Sequence, residues 1–314
     1  MELSDRIGRR VRLQDLHVLM VVSQAGSMNK AATLLNTGQS AISRSVAELE
    51  HSMGVRLLDR TPQGVTPTEY GRALLDGGMA AFDELRHAVK KIEFLADPTA
   101  GEARIGCTPL LAASFASAVV NRLSQRYPRV SFHFVTGYVE TLHRELVDRN
   151  VDLLIARRFG PIADERLAFE TLFDDPSVVA AGAQSPWSRQ RRIALGDLVN
   201  EPWVLPPSGS GIASIAIDAF RAVSVDYPRA IVVTDSPQMR MSLLATGRFL
   251  TILPASALRF PAKRSEIKAL PVKLPTTLVP NGIVTLKNRE LSPVAQLFIG
   301  CARDVAKALV TGKR

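Results

Sequence analysis

The sequence predicts an α/β domain of two lobes, preceded by an all-α winged helix-turn-helix and a long linker helix. Three observations carry this prediction. Apolar residues recur at helical spacing in three short runs before residue 50. A narrow apolar seam then persists from Ala73 to Leu95, and from Glu102 onward short apolar strands alternate with helical segments. The expected division is a head over residues 1–66, a linker helix and hinge over 67–100, and a two-lobed domain over 101–314.

In the head, Leu16, Leu19, Met20 and Val22 mark a first helix from Gln14 to Ala25, stopped at Gly26. Ser27 is placed to cap a second, carrying Ala31, Ala32, Leu34 and Leu35 on one face. Asn36-Thr37-Gly38 breaks it, and a third helix is expected from Gln39 to Leu49. Its Ala41, Ile42, Ser45, Val46 and Leu49 face inward, leaving Gln39, Ser40, Ser43 and Arg44 outward. Two short helices joined by a three-residue turn form the helix-turn-helix arrangement. Pro62-Gln63-Gly64 reads as a hairpin turn, making Leu57–Thr66 a β-wing. Thr66-Pro67-Thr68-Glu69 has the pattern of a helix start, with Thr66 as cap, Pro67 at the first helical position and Glu69 closing a capping box.

The linker helix should run from there to Leu95, about 28 residues and roughly 42 Å at 1.5 Å per residue. Ala73, Leu74, Ala81, Leu85, Ala88, Ile92 and Leu95 keep one seam through charged surroundings. A helix that long with no local partner buries its seam against a second copy of itself, so a homodimer is expected; the competing reading packs the seam on its own chain. Asp97–Gly101 reads as a hinge. Beyond it, strands at Ala103–Cys107, Val130–Thr136 and Val151–Ala156 alternate with helices at Leu110–Gln125 and Val139–Arg149. This order implies a parallel sheet with helices on its faces. A second unit follows, with strands near Ser177–Ala181, Trp203–Leu205, Ile231–Thr234 and Leu250–Leu253. The chain returns near Ile267–Val272 and Gly282–Leu286 and ends in a helix from Pro293 to Leu309.

Composition narrows the function. The chain of 314 residues is 46% hydrophobic and 22% charged, a globular balance. No apolar run approaches the roughly 18 residues that span a bilayer, and the start Met-Glu-Leu-Ser-Asp-Arg lacks a signal core, so a cytoplasmic location without membrane partners is expected. Cys107 and Cys301 are too few and too far apart for a disulfide framework, and the five histidines lack metal-ligand spacing. No cofactor is called for. The net charge of +9 invites a nucleic-acid reading, but the head carries 8 Lys and Arg against 6 Asp and Glu, while residues 101–314 carry 27 against 18. The excess therefore lies mostly outside the head, and charge alone decides nothing.

The ordered run Asp15-Leu16-His17, Gly26-Ser27-Met28-Asn29-Lys30-Ala31-Ala32, Gln39-Ser40-Ala41-Ile42-Ser43-Arg44, Leu49-Glu50, Gly54–Leu58, Arg60-Thr61-Pro62 and Thr68–Gly71 resembles the LysR-type transcriptional regulators. The resemblance implies a DNA-binding regulator, not an enzyme. It also implies an effector domain with the fold of type 2 periplasmic binding proteins, and a homodimer or homotetramer on double-stranded DNA. Glu201–Pro206, Gly247–Pro254 and Gly282–Arg289 are similar to a sugar-responsive subgroup named for a galactose-binding-protein regulator. Two positions depart from the family pattern: Ser40 where Pro is usual, and Gln63 at the wing tip where Arg is frequent. The second weakens the expected minor-groove attraction.

On this reading Gln39, Ser40, Ser43 and Arg44 meet base edges and phosphates in the major groove, while Asn29, Lys30, Arg56 and Arg60 anchor phosphates. Singly, each is also what a solvated helix end carries. A small-molecule effector, anionic or hydroxylated, should sit between the lobes where strand ends meet helix N-termini. The expected residues are Thr108, Gly137, Tyr138, Arg157, Ser208, Ser210, Ser236 and Thr251, each hydroxyl having helix capping as its competing role. Cys107 within its apolar strand reads as a small buried hydrophobe. Pro206–Gly211 lacks the Lys-Ser/Thr ending of a nucleotide loop. A solute-binding protein and a DNA-targeted α/β enzyme are the alternatives. The first is disfavoured by the missing signal core and the head; the second has no Gly-x-Ser-x-Gly elbow or dinucleotide fingerprint to nominate a catalytic group.

Overall fold

The computed structural model describes residues 11–62, 64–259, 266–275 and 278–311, in two units that divide between Val89 and Lys90. Gln63 and the first ten residues, on which the wing-tip and signal-core expectations rest, lie outside the described residues.

The first unit packs α1 (Leu13–Ala25), α2 (Met28–Leu34) and α3 (Gln39–Met53) around Leu19, Val22, Ala31, Ile42, Val46 and Leu49. Both α1 and α3 end at a left-handed glycine, Gly26 and Gly54, whose N–H closes the last turn. The expected cap at Ser27 is corrected: it stands at the N-cap position of α2 but makes no side-chain capping bond. Ser45 donates to Asp15 at 2.8 Å and so pins α3 to α1. The wing is the hairpin β1 (Leu58–Thr61) and β2 (Gly64–Pro67), with Thr61 opposite Gly64. Glu50 of α3 holds its root, one carboxylate oxygen accepting from the backbone N–H of Leu57 at 2.8 Å and of Leu58 at 3.2 Å. Val65 N–H donates to the Gly26 carbonyl, and a Cβ on Gly64 would stand 2.6 Å from that same oxygen, so only glycine fits there.

The helix start after the wing is displaced by two residues from expectation. Thr66 and Pro67 are strand residues paired with Asp59 and Leu58. α4 runs from Glu69 to Ala96, and Thr68 caps it by accepting from Gly71 N–H at 3.0 Å while donating to the Arg56 carbonyl. Within the first unit, Gly71, Leu75, Gly78, Asp83 and His87 are the buried face of α4. Of the expected seam, Leu74 packs half-buried against the head core, whereas Leu85 is 47% exposed, Ile92 67% and Leu95 80%.

The second unit holds two five-stranded mixed sheets. The first lobe orders β4 (Arg129–Thr136), β3 (Ala100–Cys107), β5 (Leu153–Arg157), β12 (Val279–Leu286) and β6 (Leu167–Asp175). β3 is parallel to β4 and β5, as the strand–helix alternation implied, but β12 runs antiparallel to both β5 and β6. The parallel order expected of the first three strands holds, and the late strand returning from the second lobe makes the sheet mixed. The second lobe orders β11 (Ile267–Ala269), β7 (Ser177–Gly182), β10 (Leu250–Pro254), β8 (Trp203–Leu205) and β9 (Ala230–Val233).

Helices cover these sheets. In the first lobe α5 (Pro109–Leu111), a π turn (Ala112–Ala116) and α6 (Ser117–Arg126) follow β3, and α7 (Val139–Val147) follows β4. In the second, α8 (Gly211–Ala222), α9 (Pro237–Ala245) and α10 (Ser256–Arg259) follow strands, and α11 (Pro293–Thr311) returns to the first. Phe115, Phe173 and Phe298 centre the first core, Trp203 and Phe220 the second. Cys107 is fully buried in the first, and burial pushes its thiol up, as a structural cysteine requires.

Glu50→Ala strands two backbone donors at the wing root. It should destabilise the first unit by about 1–3 kcal/mol, read as a lower urea midpoint in the transition of that unit by circular dichroism.

Candidate functional site

The first candidate site is the face presented by α2, α3 and the wing. Gly38 precedes α3 in an extended conformation, so the helix begins with Gln39 and Ser40, both exposed, on its open N-terminal turn. Arg44 lies one turn further along and is exposed; Ser43 is half-buried. Asn29 and Lys30 are exposed in the first turn of α2, Arg56 in the link before the wing, and Arg60 on β1 opposite Val65. The core of Ile42, Val46 and Leu49 on the opposite side of α3 fixes which residues face outward. This is a rigid helix with short polar residues at its end and cations flanking it, the geometry that enters a major groove.

The second candidate site is a cleft of about 930 Å³ between the two lobes of the second unit. Its walls are chain segments that leave strand ends, most of them entering helices. From the first lobe come Thr108 after β3, Gly137 and Tyr138 after β4, and Arg157 at the end of β5; from the second come Ser210 before α8 and Ser236 before α9. Helix N-termini present unpaired N–H groups and a positive dipole end, and so favour anions.

Arg157 is 5% exposed, and its Nε and Nη1 have no acceptor; Nη2 reaches only the Asp175 carbonyl, at 3.4 Å. Burial pulls its guanidinium down to about 10 against the opposing pull of the Asp175 carboxylate, so it stays charged at neutral pH. The aromatic ring of Phe159 lies 5.6 Å from it. Across the cleft, Tyr138 donates its hydroxyl to Asp235, which pushes the phenol up and joins the lobes at the surface. At the lobe junction the buried Asp175 carboxylate accepts from Ser256 N–H and hydroxyl, at 3.0 and 2.5 Å, and from Asn281 at 3.4 Å.

Thus Thr108, Gly137, Tyr138, Arg157, Ser210 and Ser236 come together at the cleft as expected. Two do not. Thr251 is fully buried and donates to the Val204 carbonyl at 2.6 Å, tying β10 to β8, and Ser208 is exposed outside the lining. Ser210 and Ser236 cap α8 and α9 through Ala213 and Met239 N–H, so their competing role is realised. Thr108 makes no capping bond. A Cβ on Gly137 would meet nothing closer than 3.9 Å, so packing does not demand the glycine.

The sequence reading missed Arg240 in α9, which is 5% exposed, lines the cleft and leaves Nε and Nη1 without acceptors. Burial lowers its guanidinium, opposed by Asp235. The signal was present: an arginine between Met239 and Met241 in the first turns of a helix that opens on the expected site.

Residues 13–72 match the bacterial regulatory helix-turn-helix protein of the lysR family, and residues 96–307 match the LysR substrate binding domain. The transcriptional dual regulator GltC of Bacillus subtilis is 28% identical over 292 residues, 92% of this chain and 95% of that protein. The regulator GbpR of Azospirillum brasilense is 23% identical, covering 94% of this chain and 86% of that protein. The solved full-length CbnR in complex with its target DNA aligns with a TM-score of 0.63 at 18% identity, over 94% of this chain and 100% of that one. Among the described residues no helix is long and apolar enough to cross a membrane. The chain belongs to the LysR family: it is a DNA-binding transcription regulator with an N-terminal helix-turn-helix and a C-terminal effector-binding domain.

Proposed function

We propose that this regulator responds to an anionic small molecule held in the inter-lobe cleft. The observation that carries the reading is Arg157: a charged guanidinium, nearly buried, lines the cavity with two nitrogens lacking acceptors. Leaving such donors unmet costs about 1–3 kcal/mol or more, and a carboxylate on the ligand would meet them. Thr108, Gly137 and Tyr138 contribute a free hydroxyl, an open backbone and a phenol to the same wall; Ser210 and Ser236 serve by holding helix N-termini toward it. Ser208 and Thr251 drop out of the site.

On the DNA side, Gln39, Ser40, Ser43 and Arg44 read base edges while Asn29, Lys30, Arg56 and Arg60 hold phosphates. The head of residues 1–66 is joined by the linker of 67–100 to the effector domain of 101–314. The apolar seam of α4, with Leu85, Ile92 and Leu95 exposed in the single chain, supports a homodimer through the linker helix, which sets the distance between two heads. Two dimers would then associate through their effector domains, and the assembly acts in the cytoplasm.

These assignments are tested at the cleft, the DNA face and the seam in turn. In a thermal-shift screen of the full chain, small carboxylates should raise the melting temperature where neutral sugars do not. Arg157→Gln should weaken that response by about tenfold or more, and a neutral sugar that binds equally well to wild type and variant would sink the anionic reading. Lys30→Ala should weaken operator binding across sequences and reduce the salt slope of log K by about 1, whereas Arg44→Ala should lose discrimination at particular base pairs. Ile92→Glu places a charge in the seam and should lower the mass seen by sedimentation, with the circular dichroism spectrum retained.

A further inference from the structure

We infer that the effector carries two anionic groups, one held by Arg157 of the first lobe and the other by Arg240 of the second. The inference rests on the anionic reading of the cleft and specifies its ligand as a dicarboxylate with a hydrocarbon body. Arg157 stands at the end of β5 and Arg240 in α9, so the two guanidinium groups belong to different sheets yet line one cavity of about 930 Å³. Each is 5% exposed, and each leaves Nε and Nη1 without an acceptor.

The neighbouring protein carboxylates are engaged elsewhere. Asp175 accepts from Ser256 and Asn281, and Asp235 accepts from Tyr138. They moderate the two positive charges without meeting the open N–H groups. A fold that buries two arginines and leaves Nε and Nη1 of each unmet costs stability, and the cost is recovered when planar anionic groups bind them.

The N-termini of α7 in the first lobe and α8 in the second also open on the cavity and add positive dipole ends to its wall. Leu110, Phe159, Ile162, Phe169 and Ile212 line the same cavity and suit a methylene or aromatic body between the two charged ends. A ligand gripped at both ends is bound fully only when both lobes contribute, which makes occupancy depend on the separation of the lobes.

The test is isothermal titration calorimetry on the full-length protein with the straight-chain dicarboxylates from malonate to suberate and the monomethyl ester of each. The expected result is that at least one diacid binds and its monoester binds about tenfold or more weakly. Arg240→Met should reduce the diacid to the affinity of its monoester, leaving the larger part of monoester binding in place. Because Arg240 has open donors in the ligand-free protein, the variant should melt no lower than wild type without ligand; a lower melting temperature would assign Arg240 to structure and overturn the proposal. Arg240→Lys, which keeps charge and loses the planar fork, should fall between the two. Equal affinity for diacid and monoester, or no binding by any diacid at about 10 mM, would also overturn it. A monocarboxylate whose binding is lost in Arg157→Gln but indifferent to Arg240→Met would remove the two-anion ligand and leave the anionic cleft standing.

Discussion

The effector-binding unit turns on one buried carboxylate. The chain passes between lobes twice, once at Pro176 between β6 and β7 and once between β11 and β12, and Asp175 sits where those passages meet. A buried carboxylate is costly unless its oxygens are hydrogen-bonded. Here Ser256 from the second lobe and Asn281 from the first do that, so the same group is tied to both lobes. Its negative charge also supports Arg157 in a setting that otherwise disfavours the charged guanidinium. Replace Asp175 and the junction loses its shared acceptor while Arg157 loses its nearest counter-charge. The arginine that meets the cleft and the residues that join the lobes are therefore one electrostatic unit.

Much of the head was legible because its signals are local. Left-handed glycines at 26 and 54 end α1 and α3, and the apolar spacing of Ile42, Val46 and Leu49 orients α3 without reference to anything distant. The helix start after the wing was read two residues early for an equally physical reason. Thr66-Pro67 carries the local pattern of a helix start, but the pairing of Pro67 with Leu58 in the hairpin extends the strand past it and leaves Thr68 to cap the helix. The cleft was legible wherever a strand end runs into a helix, which is why Thr108, Tyr138, Ser210 and Ser236 fell into place.

What local pattern could not supply was pairing across sequence distance. β6 and β12 are neighbours although more than a hundred residues separate them, and β6 mixes Glu170, Thr171 and Asp174 among its apolar residues, so its strand character was hidden. Thr251 was expected at the site because it lies on a strand crossing between the lobes, yet a neighbouring strand claims its hydroxyl. Arg240 was passed over because an arginine inside a helix reads as a solvated one. Its burial comes from the tertiary arrangement of α9 against the cleft, which one-dimensional periodicity does not contain.

On the proposed reading, ligand and DNA are linked through lobe geometry and, through the linker helices of a dimer, through the spacing of two reading heads. Linkage of that kind is reciprocal: whatever factor the ligand applies to DNA affinity, DNA must apply to ligand affinity. The most direct test is the affinity of the full-length protein for its tightest-binding dicarboxylate, measured with and without saturating operator DNA. The account predicts a change equal to the factor by which the diacid alters operator affinity; identical ligand affinities in the two conditions would contradict it.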